Sequence, residues 1–387
     1  MHSSPASHHP HHAKLFTIRT QKELPTTAPD AIGRSPFPYP RAIPQPRLRE
    51  CARRTARQLG RMKFAILFVA AFTLTVSTLP AAEASKPRPP AYLTEAEARA
   101  AGPDFELQGE YADAGLGAQI IALGDSKFRL VLHQGGLPGA GWDKSAKTEI
   151  EGVLDGAKAV FKGGDGKPAG EAAGGLLTGT DAAGKAFKLI KVFRQSPTLL
   201  AMPPAGALVL FDGSSPDAWQ NGKMDDRKLL RCGTKSKELI KSGTLHIEFF
   251  LPFKPLGRGQ DRANSGVYLQ DRYEVQVLDS FGLKGENNEC GGIYTKHKPF
   301  VNMCLPPLVW QTYDIEFTEA QWDAEGKKTK DATLTVKHNG VLIHDHAPVN
   351  SATTAAGLKE GPTPGPIQLQ DHGNPIFYRN IWWVPTK

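Results

Sequence analysis

From about residue 105 onward, apolar and polar positions alternate in short runs with a period of two, the signature of strands with one buried side. In 245–250, Leu245, Ile247 and Phe249 fall on one side, and His246, Glu248 and Phe250 on the other. In 265–270, Val267 and Leu269 oppose Tyr268 and Gln270; in 273–278, Val275 and Val277 oppose Glu274 and Gln276. In 366–372, Ile367 and Leu369 oppose Gln368, Gln370 and His372. Gly-, Pro-, Asn- and Asp-rich stretches bound these runs. Strands are predicted at 119–123, 127–132, 158–161 and 187–192, and again at 245–251, 265–270, 273–279, 312–318, 332–338, 341–345 and 366–370. Asn339-Gly340 between two such runs predicts a two-residue hairpin. That hairpin would place His344 and His346 on a solvated face with Thr333, Thr335 and Lys337.

Many strands without interleaved amphipathic helices predict an all-β chain. A small β domain is expected over 104–195, a Pro-rich linker over 196–205, and a larger sandwich or jelly roll over 206–387. A linker with a short helix is expected over 85–103. The Gly-rich stretch 135–141 is no phosphate cradle, because no helix signal follows it.

The front of the chain reads differently. Met62-Lys63 precede an apolar run, Phe64 to Val76, and small residues follow through Ala82 and Ala84. This predicts a signal peptide over 62–84, shorter than the roughly 20 apolar residues of a membrane span. The protein is therefore expected to be secreted or periplasmic, with no stable membrane span after cleavage. Residues 1–61 show no periodicity and are expected to be a disordered extension or a start-site artefact.

The formal charge of +8 belongs to that front segment. Residues 1–61 hold 11 Lys and Arg against 3 Asp and Glu, and the rest of the chain carries 36 of each sign. The folded body is neutral, which excludes a basic nucleic-acid-binding domain. Beyond Met62 there are three cysteines, Cys232, Cys290 and Cys304, so at most one pair forms within the chain. Cys290 and Cys304 are close enough in sequence to bridge; buried thiols are the other reading. No Cys/His spacing points to zinc.

The candidate chemistry sits on the polar strand faces. Glu, Gln, Tyr and His collect there without Lys or Arg, and such groups suit sugar hydroxyls: fixed donors and acceptors beside a stacking surface. Glu274 is the first candidate for a general base, on a central strand beside Gln276. Glu248 offers a second carboxylate, and His372 an acid or base at a strand end. Tyr268, Gln270, Gln276, Gln368 and Gln370 are candidate sugar-binding residues, and Asn264 and Arg258 candidate gates of the groove. If a metal takes part, these oxygen donors favour a hard divalent cation such as Ca²⁺.

An ordered set of motifs joins these residues: Leu210-Phe-Asp-Gly213, Asn264-Ser-Gly-Val-Tyr-Leu-Gln270, Tyr273-Glu-Val-Gln-Val-Leu-Asp279, Cys290-Gly-Gly-Ile-Tyr294, Trp310-Gln-Thr-Tyr-Asp-Ile315 and Gly365-Pro-Ile-Gln-Leu-Gln-Asp-His-Gly373. Over residues 206–385 the chain resembles the 3-keto-disaccharide hydrolase domain family. The resemblance implies a concanavalin A-like jelly roll that cleaves glycosides already oxidised at C3. A C3 ketone acidifies the C2 hydrogen and lies β to the C1 leaving group, so one base can start an elimination that water then reverses by addition. A two-carboxylate hydrolysis fits less well, since Gln276 stands where a second acid would be expected. The alternatives are a non-catalytic carbohydrate-binding protein and an adhesion or scaffolding protein. In the first two readings the partner is an oligosaccharide or glycoside.

Overall fold

The computed structural model describes residues 88–164, 168–181 and 183–386; the expected extension and signal peptide lie outside these residues. The chain is almost entirely β. Two short helices, α1 (Glu95–Ala100) and α2 (Asp104–Leu107), precede the strands. Thr94 starts α1 with a capping box: its hydroxyl accepts from the Glu97 amide, and the Glu97 carboxylate accepts from the Thr94 amide.

Eight antiparallel strands then close into a barrel: β1 (Gly109–Asp113), β2 (Gly115–Gly124), β3 (Lys127–Gly135), β4 (Thr148–Asp155), β5 (Lys158–Lys162), β6 (Pro168–Ala173), β7 (Leu176–Thr180) and β8 (Ala186–Val192). Pairing of β1 with both β2 and β8 removes the sheet edges. Inward positions of β2 and β3, including Ile120, Phe128 and Leu130, pack with Tyr111 and Phe161 to fill the interior. Outward-facing Ile121 and Val131 instead join the apolar core of the following domain. Gly282 permits this approach, since a Cβ there would lie 2.4 Å from the Ile121 side chain.

The second domain is an antiparallel sandwich. Its strands are β9 (Leu208–Phe211), β10 (Trp219–Gln220), β11 (Leu230–Arg231), β12 (Thr234–Ile240), β13 (Gly243–Phe250), β14 (Ser265–Leu269), β15 (Tyr273–Val277), β16 (Trp310–Thr318), β17 (Gln321–Trp322), β18 (Lys328–Lys330), β19 (Ala332–His338), β20 (Val341–Val349), β21 (Gly365–Leu369) and β22 (Phe377–Pro385). One sheet runs β10-β12-β21-β14-β15; the other runs β11-β22-β13-β16-β19-β20, with β9 on β22. The predicted apolar faces meet between them: Leu245, Ile247 and Phe249 from one sheet, Val267, Leu269, Val275 and Val277 from the other.

The Asn339-Gly340 hairpin forms with positive φ at both residues (51° and 76°), as a type I′ turn requires. The face assignment beyond it fails. Register shifts beside Val336 pair that residue with His344, which turns inward. His344 is buried, bonds the Gly291 carbonyl at 2.7 Å, and is held at about pKa 4 by burial. His346 stays exposed. Among the described residues no helix is long and apolar enough to cross a membrane.

Candidate active site

The outer side of the five-stranded sheet assembles most of the predicted residues. Register places Tyr268 of β14 directly between Glu274 of β15 and Gln368 of β21, with Lys235 of β12 beyond Gln368. In the next row Gly266 faces Gln276, and the Gln370 amide donates to the Gly266 carbonyl at 2.9 Å.

Glu274 is the centre of this face and is only 2% exposed. Its Oε2 accepts from the Tyr268 hydroxyl at 2.7 Å. Its Oε1 lies over Gly266, where a Cβ would stand 2.1 Å away, so only glycine leaves room for the carboxyl. Burial raises the Glu274 pKa to about 8, a shift that the Tyr268 hydrogen bond partly opposes. Among the described residues no cation contacts the carboxyl. Tyr268 is itself held far above its usual range, by burial first and then by the neighbouring Glu274.

The Tyr268 phenol is a junction. It accepts from Gln370 Nε2 at 3.1 Å and also reaches the Thr354 carbonyl at 3.2 Å. Its single proton can serve Glu274 or Thr354, so the bond at Glu274 follows the charge on that carboxyl. Gln276 is equally two-sided. Its Nε2 donates to Gln260 Oε1 at 2.9 Å, whereas turning the carboxamide over brings nitrogen to 3.1 Å from Glu274 Oε1 and 2.7 Å from the Ser265 carbonyl. Asn264 donates to the same Gln260 oxygen at 2.9 Å, and its buried Oδ1 has no partner.

Gln260 carries no signal in the sequence. It rides on a 3-10 turn (Gly259–Asp261) fixed by buried Lys254, whose ammonium donates to the Asp261 carbonyl and carboxylate and to Asn374. On the other flank, Gly291, Gly292 and Tyr294 bond the backbone of Gln276 and Glu274, covering the free edge of β15. Gly266 is the one missed residue with a signal, a glycine inside a strand pattern.

Four predicted residues lie elsewhere. Glu248 stands on the outer side of the other sheet, on β13, beneath residues 196–202. It accepts from the Leu200 amide (2.5 Å), Arg379 Nε (2.7 Å) and Asn380 Nδ2 (3.0 Å). Burial alone would raise this carboxyl; hydrogen bonds from His246, Asn380, Arg379 and Leu200 outweigh it and hold the pKa at about 2. Gln270 leaves its strand with φ of 54° and turns its amide to Ile240 and Glu319 at the end of the sandwich. Arg258 is exposed and folds back on the carbonyls of Pro255, Gly257 and barrel residue Leu123. His372 is exposed beyond β21 and its side chain makes no bond among the described residues; its carbonyl accepts from Asn374. Sequence spacing gives strand faces but cannot show which sheet a strand joins or where a loop turns.

Shallow troughs of about 470 Å³ (Ser242, Thr318, Glu319, Trp322) and 270 Å³ (Leu210, Asp212, Ala218) lie away from this face. Around Glu274 the donors are one carboxyl, one phenol and amides. Among the described residues no cluster of three or more His, Cys, Asp or Glu side chains is arranged to hold a metal, and this set does not fit a dedicated cation cage.

Known proteins place the sandwich. The 3-keto-alpha-glucoside-1,2-lyase-like domain matches residues 206–384. A protein from Parabacteroides distasonis ATCC 8503, provisionally named a glycosyl hydrolase, is 32% identical, with 47% of this chain and 85% of that one covered and a TM-score of 0.44. A second provisionally named glycosyl hydrolase from that organism is 14% identical, with 47% and 94% covered and a TM-score of 0.36. No curated protein matches the chain. Through its sandwich domain the chain belongs to the 3-keto-alpha-glucoside-1,2-lyase-like family of glycoside-acting proteins.

Proposed function

We propose that the sandwich cleaves 3-keto-glycosides, with Glu274 as the base that removes the C2 proton. The observation that carries this reading is the Glu274 carboxyl itself: buried, facing no cation among the described residues, and raised to about 8. A carboxylate of that basicity takes a carbon-bound proton far better than one near pKa 4, yet is still partly ionised near neutrality. Departure of the C2 proton leaves an enolate across C2, C3 and the C3 oxygen. Return of that electron pair re-forms the C3 carbonyl, makes a C1–C2 double bond and expels the C1 oxygen, which takes up a proton. Addition of water to C1 then gives the free 3-keto sugar.

Tyr268, held by Gln370, steadies the Glu274 carboxylate while it is ionised and can turn its proton to Thr354 once Glu274 is protonated. Gln276 and Asn264 offer amides to the sugar hydroxyls, and Gln368 extends the same row. We place the reaction outside the cytoplasm, on the signal-peptide pattern at 62–84. The test is incubation of the purified protein with 3-keto-trehalose or a 3-keto-glucoside, following released sugar or alcohol. Release by the native chain and not by Glu274→Gln supports the reading. Binding of unoxidised glycans with no turnover of either form would instead identify a lectin-like module.

A further inference from the structure

Cys290 and Cys304 lie in the core of the sandwich, 0% and 1% exposed, as unbridged thiols that each shift the other's proton affinity. They bracket one short stretch of chain: the Cys290 amide donates to Ser280 Oγ at 3.1 Å, and Cys304 Sγ reaches the Leu278 carbonyl at 3.5 Å. Cys290 Sγ also meets the Tyr313 hydroxyl at 3.2 Å, and that hydroxyl donates to the Gln276 carbonyl at 2.6 Å. The residues just after Cys290 hold the same strand from its edge. Gly291 N donates to the Gln276 carbonyl at 3.0 Å, Gln276 N to the Gly292 carbonyl at 2.9 Å, and Tyr294 N to the Glu274 carbonyl at 3.1 Å. The two sulfurs thus stand behind the strand that carries Glu274, at the root of the segment that flanks it.

We propose that Cys290 and Cys304 form a disulfide that fastens segment 290–294 against β15. The step is thiol–disulfide exchange. One thiolate attacks a disulfide oxidant, a mixed disulfide forms, and the second cysteine sulfur displaces the oxidant's remaining thiolate. Two electrons pass to the oxidant, which leaves as two thiols. Because both sulfurs are sealed in the core, the bridge closes during folding. Closure brings the sulfurs to about 2.05 Å. Cys232 is only half-buried, bonds the Asn374 carbonyl at 3.3 Å, and serves as an internal control.

The experiment does not depend on the reaction proposed for Glu274. The full chain is refolded in graded glutathione buffers, quenched with iodoacetamide in urea, and mapped by peptide mass. The expected result is loss of two alkylatable thiols in oxidising buffer, with the Cys290 and Cys304 peptides joined and lighter by two hydrogens, and Cys51 and Cys232 alkylated. Cys304→Ser should leave Cys290 alkylated or carrying glutathione. Recovery of the fold with both cysteines alkylated at every ratio overturns the proposal, as does a bridge to Cys232. If refolding fails, protein secreted into an oxidising medium and alkylated in urea without reductant gives the same readout: a joined peptide supports the bridge, and two alkylated peptides overturn it.

Discussion

Glu248 points outward from the central strand β13 and Glu274 from β15, which is an edge strand and not the central one expected from the sequence; both are sealed from solvent. Their chemistry is opposite. Glu248 is met by a guanidinium, an amide, an imidazole and a backbone N–H, and is held at about pKa 2. Glu274 meets a phenol and neutral amides and rises to about 8. Burial pushes both carboxyls up; only the donors reaching Glu248 from His246, β22 and the 196–202 segment reverse the effect. A buried carboxyl with saturated donors is structural, and one kept short of cations is available for proton transfer.

The largest effect tests the second half of that contrast. Glu274→Gln should lower kcat/KM on a 3-keto-glucoside by roughly 10³-fold or more, within the range of general acid–base groups. In the native protein kcat/KM should climb with pH as the carboxyl ionises, levelling above about 8. Stability should run the other way. A folded pKa above the unfolded 4.5 favours the neutral acid, so stability is fully present below pH 4.5 and falls as pH rises through about 8. Glu274→Gln removes that loss. Its melting temperature should gain on the native protein between those pH values, read by thermal scans at each pH. No gain would mean that Glu274 ionises freely, which defeats the claim of a charge-poor site.

Glu248→Ala comes next and acts on folding. It leaves Arg379, Asn380 and the Leu200 amide without their acceptor and should cost about 3–5 kcal/mol, seen in the urea midpoint. Whatever protein remains folded should keep its kcat/KM. The pH dependence is also reversed relative to Glu274. A folded pKa near 2 against 4.5 unfolded gives stability that is present above pH 4.5 and lost as pH falls toward 2. Equal losses of activity and stability would return Glu248 to the site.

The same pair marks where the sequence stops being legible. Period-two alternation separates Val275 and Val277 from Glu274 and Gln276 correctly, because a strand's two sides are a local property. The β21 pattern likewise puts Gln368 and Gln370 beside Tyr268. Glu248 obeys the same local rule and still misleads, since sheet membership depends on pairing with β16 and β22, far away in the chain. Adjacent Trp382 and Trp383 suggest one buried ring and one exposed. Both are buried, because the linker at 196–202 covers Trp382, which stacks on His246 at 4.9 Å. His344 fails through a bulge and Gln270 through a turn, two irregularities without a clear composition cue. Gln260 was invisible because a 3-10 turn held by distant Lys254 delivers it.

Tyr268→Phe should be milder than either carboxyl change. It keeps the ring and removes the phenol bond that favours ionisation of Glu274. A neutral-donor bond is worth about 1–1.5 kcal/mol, so kcat/KM should drop roughly tenfold, and the ascending pH limb should move above 8. A drop with the limb unmoved would place Tyr268 on the substrate and not on Glu274.

Arg258→Ala should do least, although the sequence placed Arg258 at the groove. Its guanidinium is exposed and serves carbonyls of its own loop and of Leu123 in the barrel. Two of those acceptors, Pro255 and Gly257, are also reached by buried Arg262, at 3.2 and 3.5 Å, so they keep a donor when Arg258 is lost. Arg262 is in turn fixed by Asp279 at 2.8 Å and donates to barrel residue Ala122. The expected cost is below about 1 kcal/mol of stability, as for other exposed charged groups. With no contact to the Glu274 face, kcat/KM should not change measurably. A clear fall in kcat/KM with stability intact would show that Arg258 swings into the groove with substrate bound, and the boundary drawn between the two carboxyls would then have to include the loop that carries Gln260.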